Sequence, residues 1–141
     1  MTGQDTTYQM LTGMVIHGRQ LGRRLGYPTA NIDTHSLTTV LPSGVYAGWA
    51  VLNNGCEYPA MVNVGYRPTV DTEEHKLSVE AHLHGYTGDL YGEILNIKLV
   101  SRIRDERKMD SLDELKAQLG LDLLQTLERL NVTIQASGTN P

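Results

Sequence analysis

The chain has 141 residues, a length that suits one domain with a single core and is short for two. Hydrophobic residues make up 40% and charged residues 20%, the balance of a globular protein, and no stretch nears the ~18 uninterrupted apolar residues of a membrane helix. A formal charge of -4 argues against a general nucleic-acid binder, which needs an electropositive surface to displace counterions, and the single Cys56 excludes a disulfide within the chain or a cysteine-rich zinc site. The opening residues MTGQDTTYQ lack a basic stretch followed by an apolar one, so no secretory signal is expected and the cytoplasm is the expected location.

Up to about residue 110 the signals are β. Short apolar or alternating runs at 10–16, 44–52, 58–64, 77–83 and 94–100, punctuated by Gly, Pro, Asn and Asp, predict the strands of a small antiparallel barrel or sandwich. In LSVEAHL, alternation puts Leu77, Val79, Ala81 and Leu83 on one face and Ser78, Glu80, His82 and His84 on the other, so Glu80 leaves the core side. Beyond residue 110 the period becomes helical. Ser111-Leu112-Asp113-Glu114 fits a capping box, in which the Ser hydroxyl accepts from the Glu114 backbone and the Glu114 carboxylate reaches back to the cap. Leu112, Leu115 and Leu119 follow at helical spacing. Gly120 is expected to end this helix and Asp122 to cap a second, whose Leu123, Leu124, Leu127 and Leu130 form a stripe packed on the barrel. One domain over 1–131 is expected, with 132–141 a disordered tail.

The densest cluster of chemistry is 17–31, HGRQLGRRLGYPTAN. Gly18, Gly22 and Gly26 recur every four residues among Arg19, Arg23 and Arg24, a pattern that suits a cationic loop whose bare backbone approaches a polyphosphate. There is no Walker-type Gly-Lys-Ser/Thr ending, and on composition alone a solvated turn-rich loop is the simpler reading. In Tyr27-Pro28-Thr29-Ala30-Asn31, alternation would point the Thr29 hydroxyl and the Asn31 carbonyl the same way, two hard oxygens of the kind that Mg²⁺ uses beside substrate phosphates. A turn in which both bond their own backbone is the competing account. His82 and His84 share a strand face, but no further His or Cys sits near them at zinc-like spacing, so they read as surface histidines. The run Arg102, Arg104, Arg107, Lys108 could meet RNA phosphate, although Asp105 and Glu106 interrupt it.

The succession GMVIHGRQLGRRLGYPTAN, LPSGVYAGWAV, MVNVGYRPTV and LSVEAHLHGYTGDLYGEILNIKLVSRIRDERKMDSLDEL resembles the riboflavin kinase family, in the family's own order and over roughly residues 13–130. PTAN, the glutamate of SVEAH, LYGEILNI and IRDERKMDS are its most specific elements. The resemblance implies a mainly β fold, a six-stranded antiparallel Greek-key barrel with C-terminal α-helices, in which the PTAN loop is a flap over nucleotide. It further implies transfer of the γ-phosphoryl group of Mg-ATP to the riboflavin 5′-hydroxyl, giving FMN and ADP. On that basis Glu80 is the expected catalytic base; Gly18, Gly22, Arg23, Thr29 and Asn31 bind ATP; Thr29 and Asn31 hold Mg²⁺; and Arg104, Arg107 and Met109 enclose the flavin. Met109 stands where the family usually has Phe, and its polarizable thioether can still pack against a flavin ring. Many bacterial members are one half of a bifunctional FAD synthetase, so an adenylyltransferase domain in a longer chain is an expected partner, while nothing in these residues resembles that half. A flavin-binding regulator without turnover and a barrel-type RNA-binding module are the rival readings.

Overall fold

A computed structural model of the chain describes residues 9–17, 25–35, 37, 41–68 and 75–132. Among the described residues, six strands precede one helix: β1 (Gln9–Ile16), β2 (Ala30–Ile32), β3 (Gly44–Val51), β4 (Glu57–Pro68), β5 (His75–Leu83), β6 (Ile94–Arg104) and α1 (Leu112–Arg129). The five runs read from the sequence are all strands, and β2, too short for its own periodicity to show, is the sixth. The strands close into a barrel in the order β1-β2-β5-β4-β3-β6, every neighbouring pair antiparallel. β3, β4 and β5 follow one another and β6 returns to lie beside β3, which is the Greek-key arrangement.

Alternation fills the barrel. Leu95, Ile97 and Leu99 of β6 and Val79 and Ala81 of β5 are fully buried, and with Leu11, Tyr46, Val62 and Val64 they form one core cluster. A second, thinner apolar layer lies on the outside. Val45, Ala47, Met61 and Leu127 are buried without joining that cluster, because α1 packs across β3, β4 and β6 and covers the outer face there. This is why Gly44 to Gly48 of β3 are buried on both faces.

The helix starts where the sequence places it. Ser111 is the N-cap and its hydroxyl accepts from the Glu114 backbone N–H at 3.0 Å. The Glu114 carboxylate reaches back one residue further than the capping box predicts, to the backbone N–H of Asp110 at 3.0 Å. The expected second helix does not exist: α1 runs unbroken through Gly120 and Asp122 to Arg129. The reason is the fate of the Asp122 carboxylate. It is buried, accepts from Arg104 Nε at 2.9 Å and Nη2 at 2.8 Å, and accepts from Gln118 Nε2 at 2.9 Å, so it is not available as a cap. A glycine inside a helix costs about 1 kcal/mol relative to alanine, and this buried charge-assisted network with the packing around it outweighs that preference. The leucine stripe also divides. Leu127 is buried beneath the helix, whereas Leu112 and Leu124 lie on its open side, more than half exposed. The predicted tail lies almost wholly outside the described residues.

Candidate active site

β2 is three residues long, yet it decides where the functional side chains point. Ala30 and Ile32 face the core, so Thr29 and Asn31 turn outward together, as alternation requires. β2 pairs with β5 so that Asn31 lies opposite Glu80; β5 pairs with β4 so that Glu80 lies opposite Asn63; β4 pairs with β3 so that Asn63 lies opposite Val45. Directly opposed residues share a face, and four strands therefore carry one row, Asn31, Glu80, Asn63, Val45, across the outside of the barrel. The Thr29 hydroxyl closes the row at one end by donating to Glu80 Oε1 at 3.3 Å.

His82, two residues beyond Glu80 on the same face, ties the PTAN segment down. Its Nδ1 lies 2.7 Å from the Pro28 carbonyl oxygen, and because a carbonyl only accepts, Nδ1 carries the proton. Burial holds the His82 pKa below its ordinary value; the bond to Pro28 works against that shift, and His84 adds to it. The Tyr27 ring meets the imidazole edge-on, with centroids 5.6 Å apart. His82 is thus a half-buried strap beneath the loop, where the sequence suggested a surface histidine.

Two cavities meet at this row. The larger, about 530 Å³, has the barrel wall with Glu80 and Asn63 on one side and Met109, Arg107, Leu115 and Leu119 on the other. The smaller, about 110 Å³, is bounded by Pro28, Asn31, Tyr86 and the stacked rings of His17 and Tyr91, whose centroids are 3.8 Å apart. Thr29 lines both. At the far edge of the larger cavity the Glu106 carboxylate pairs with Arg67 at 3.3 Å and rests on Gly65, where an added Cβ would fall 2.6 Å from Glu106 Oε2. Gly65 therefore serves as the seat for a second carboxylate near Glu80.

The structure brings Thr29, Asn31 and Glu80 together and places Arg104, Arg107 and Met109 on the wall of the larger cavity. Gly18, Gly22 and Arg23 lie outside the described residues. Arg104 is engaged on all sides: Asp122 takes Nε and Nη2, and the Asp105 carbonyl takes Nη1 at 2.9 Å, so its visible work is to fasten the helical wall to β6. Arg107 donates to Gln118 Oε1 at 3.2 Å and touches the Met109 sulfur at 3.5 Å. Asn63, His82, Tyr91 and Glu106 escaped the sequence reading of the site. Asn63 carried one usable signal, a polar residue in the otherwise apolar run AMVNV; the others depend on contacts far apart in sequence.

Among the described residues no group of three His, Cys, Asp or Glu side chains could hold a metal ion. A cation at this site would rest on the two neutral hard oxygens of Thr29 and Asn31 plus those of a ligand, a donor set that fits Mg²⁺ rather than a transition metal. No helix among the described residues is long and apolar enough to cross a membrane.

The solved structure of riboflavin kinase from Trypanosoma brucei superposes with a TM-score of 0.67 at 25% sequence identity, covering 86% of this chain and 76% of that one. The barrel fold therefore groups the chain with β-barrel kinases. A family model described as Flavokinase: Riboflavin kinase matches residues 6–130, and the chain belongs to the riboflavin kinase family. The bifunctional riboflavin kinase/FMN adenylyltransferase of Bacillus subtilis is 38% identical over 113 residues, covering 79% of this chain and 35% of that protein. The RNA-binding riboflavin kinase RibR of the same organism is 36% identical over 125 residues, covering 87% of this chain and 52% of that protein. The chain thus spans from about a third to about half the length of these relatives.

Proposed function

We propose that the chain transfers the γ-phosphoryl group of Mg-ATP to the 5′-hydroxyl of riboflavin, releasing FMN and ADP. The observation that carries this reading is Thr29: it lines both cavities and donates to Glu80, so a phosphate donor in the smaller cavity and an alcohol acceptor in the larger one meet beside the Glu80 carboxylate. Phosphoryl transfer passes through a loose transition state, and the work of the protein is mainly to align the attacking oxygen and to neutralise charge. Thr29 and Asn31 hold the Mg²⁺ of Mg-ATP, which when bound supplies that neutralisation. Glu80 accepts the 5′-hydroxyl proton as the oxygen forms its bond to the γ-phosphorus and the bond to the bridging oxygen of ADP breaks. Met109, with Leu115 and Leu119, offers the flavin ring an apolar wall. Arg23, with Gly18 and Gly22, covers the phosphates in this scheme.

The 141 residues are assigned to the kinase reaction alone, with an adenylyltransferase domain as a partner where the family unites both in one chain. The name of the RibR relative raises RNA as a ligand, and the residues here speak against it. Arg102 pairs with Asp105 at 2.8 Å and donates to the Ser43 carbonyl, and Arg104 is bound to Asp122, so half of the basic run is already neutralised by neighbours. The test is incubation with riboflavin and Mg-ATP followed by chromatography. FMN without FAD is expected, and absence of FMN at saturating substrate would remove the assignment.

A further inference from the structure

Asn63 stands next to Glu80 in the row and has no role in the scheme above. Its side-chain oxygen is buried and has no hydrogen-bond partner, one of three such atoms among the described residues. Buried polar groups are nearly always satisfied, and an orphan on a cavity wall asks for a ligand. The immediate neighbours cannot provide one. Val45 opposite and Met61 two residues before are apolar, Gly65 two residues after has no side chain, and the Glu80 carboxylate is itself an acceptor.

We propose that Asn63 recognises the sugar-alcohol chain of the flavin, accepting a hydrogen bond from the hydroxyl next to the one that is phosphorylated, and thereby positions the reacting hydroxyl on Glu80. The inference rests on the riboflavin kinase reading and adds a specificity residue to it. Opposed residues on adjacent strands hold their Cβ atoms about 4.5–5.5 Å apart, so Glu80 and Asn63 present two acceptors on one cavity wall, close enough for neighbouring hydroxyls of one polyol chain to reach both. One hydroxyl donates to Glu80 and loses its proton there. The next donates to Asn63 and keeps its own, which fixes the rotation of the chain and brings the first oxygen in line with the incoming phosphorus. An alcohol without the second hydroxyl leaves Asn63 unpaired, and a site whose buried polar group is left unpaired discriminates strongly.

The experiment compares riboflavin with a flavin bearing a 5-hydroxypentyl chain, which keeps the reacting alcohol and lacks the other three hydroxyls. kcat/KM with Mg-ATP is measured for the unaltered chain, Asn63→Ala and Asn63→Ser, together with riboflavin affinity from quenching of flavin fluorescence. Circular dichroism verifies folding, and Asn63→Ser, which keeps a small polar side chain, serves if Asn63→Ala does not fold. The unaltered chain should prefer riboflavin by at least about tenfold, in line with loss of one hydrogen bond to a buried polar group. Asn63→Ala should erase most of that preference by lowering kcat/KM for riboflavin while leaving the hydroxypentyl flavin nearly unchanged. An equal loss for both flavins marks Asn63 as structural and overturns the proposal, as does an unchanged preference in the variant. If the unaltered chain phosphorylates neither flavin, the riboflavin kinase reading itself falls and this inference with it.

Discussion

The Thr29 hydroxyl lies 3.3 Å from Glu80 Oε1, across the pairing of β2 with β5, and among the described residues Thr29 alone lines both the larger cavity, which holds Glu80, and the smaller one beside it. The contact is longer than the usual O–H···O bond, so it is readily exchanged when a ligand offers Thr29 another partner.

The roles of the three side chains are separable by substitution. Thr29→Ala and Asn31→Ala each remove a hard oxygen, and both should weaken apparent Mg-ATP affinity along with turnover. Glu80→Gln keeps shape and an acceptor but cannot take a proton, so flavin and nucleotide binding should persist while kcat falls about 10²–10⁴-fold. Calorimetric binding beside steady-state rates checks this. Near-full turnover in Glu80→Gln would take the base assignment away.

The Arg104–Asp122 pair should be a stability element first and a ligand element second. Asp122 is 1% exposed and the Arg104 side chain 21%, so removing one partner leaves the other buried and uncompensated. Asp122→Ala is expected to destabilise the fold by about 3–5 kcal/mol in urea unfolding, whereas the double change Arg104→Met with Asp122→Leu should cost much less. Riboflavin affinity should fall in Asp122→Ala because the helical wall of the larger cavity loses its tie to β6. An Asp122→Ala protein of unaltered stability would show that the pair is not the fastening described.

His82 should make stability sensitive to mild acid. Its folded-state pKa lies below the ordinary 6.5, so the unfolded chain binds the proton more readily. The stability contribution is then fully present above about pH 6.5 and is lost as pH falls through the lower folded value, with a slope of at most about 1.4 kcal/mol per pH unit for one proton. His82→Asn retains an N–H that can reach the Pro28 carbonyl and has no titrating ring. Its Tm should fall less than that of the parent between pH 7.5 and 5.5, and parallel curves would contradict the assignment.

The basic run 102–108 should contribute little to nucleic-acid binding. Retention of single-stranded RNA on the purified chain is expected to be weak and to vanish at physiological salt, and Lys108→Ala should leave it unchanged. Salt-resistant retention lost on removing Arg102 or Arg107 would instead support an RNA-binding function beside the kinase one.

The sequence alone determined five of the six strands, the inward face of β5 and the start of the helix, because each follows from a period of two or of 3.6 read over neighbouring residues. Val79 and Ala81 alternating with Glu80 and His82 is such a pattern, and so is Ser111 with Glu114. PTAN and SVEAH also marked Thr29, Asn31 and Glu80, though only the resemblance to a family gave them roles. What the tertiary structure decided lies between segments far apart in the chain. Asp122 looked like a cap and became the buried partner of Arg104, because helix preferences of about 1 kcal/mol yield to a satisfied buried charge. His82 looked solvent-facing until β5 paired with β2 and brought the Pro28 carbonyl to its ring. Asn63 could be seen as a polar residue in an apolar strand, but only closure of the barrel set it beside Glu80 with its side-chain oxygen buried and unpaired. Local preferences are written along the chain, whereas partners are fixed by strand register, which depends on all the strands at once.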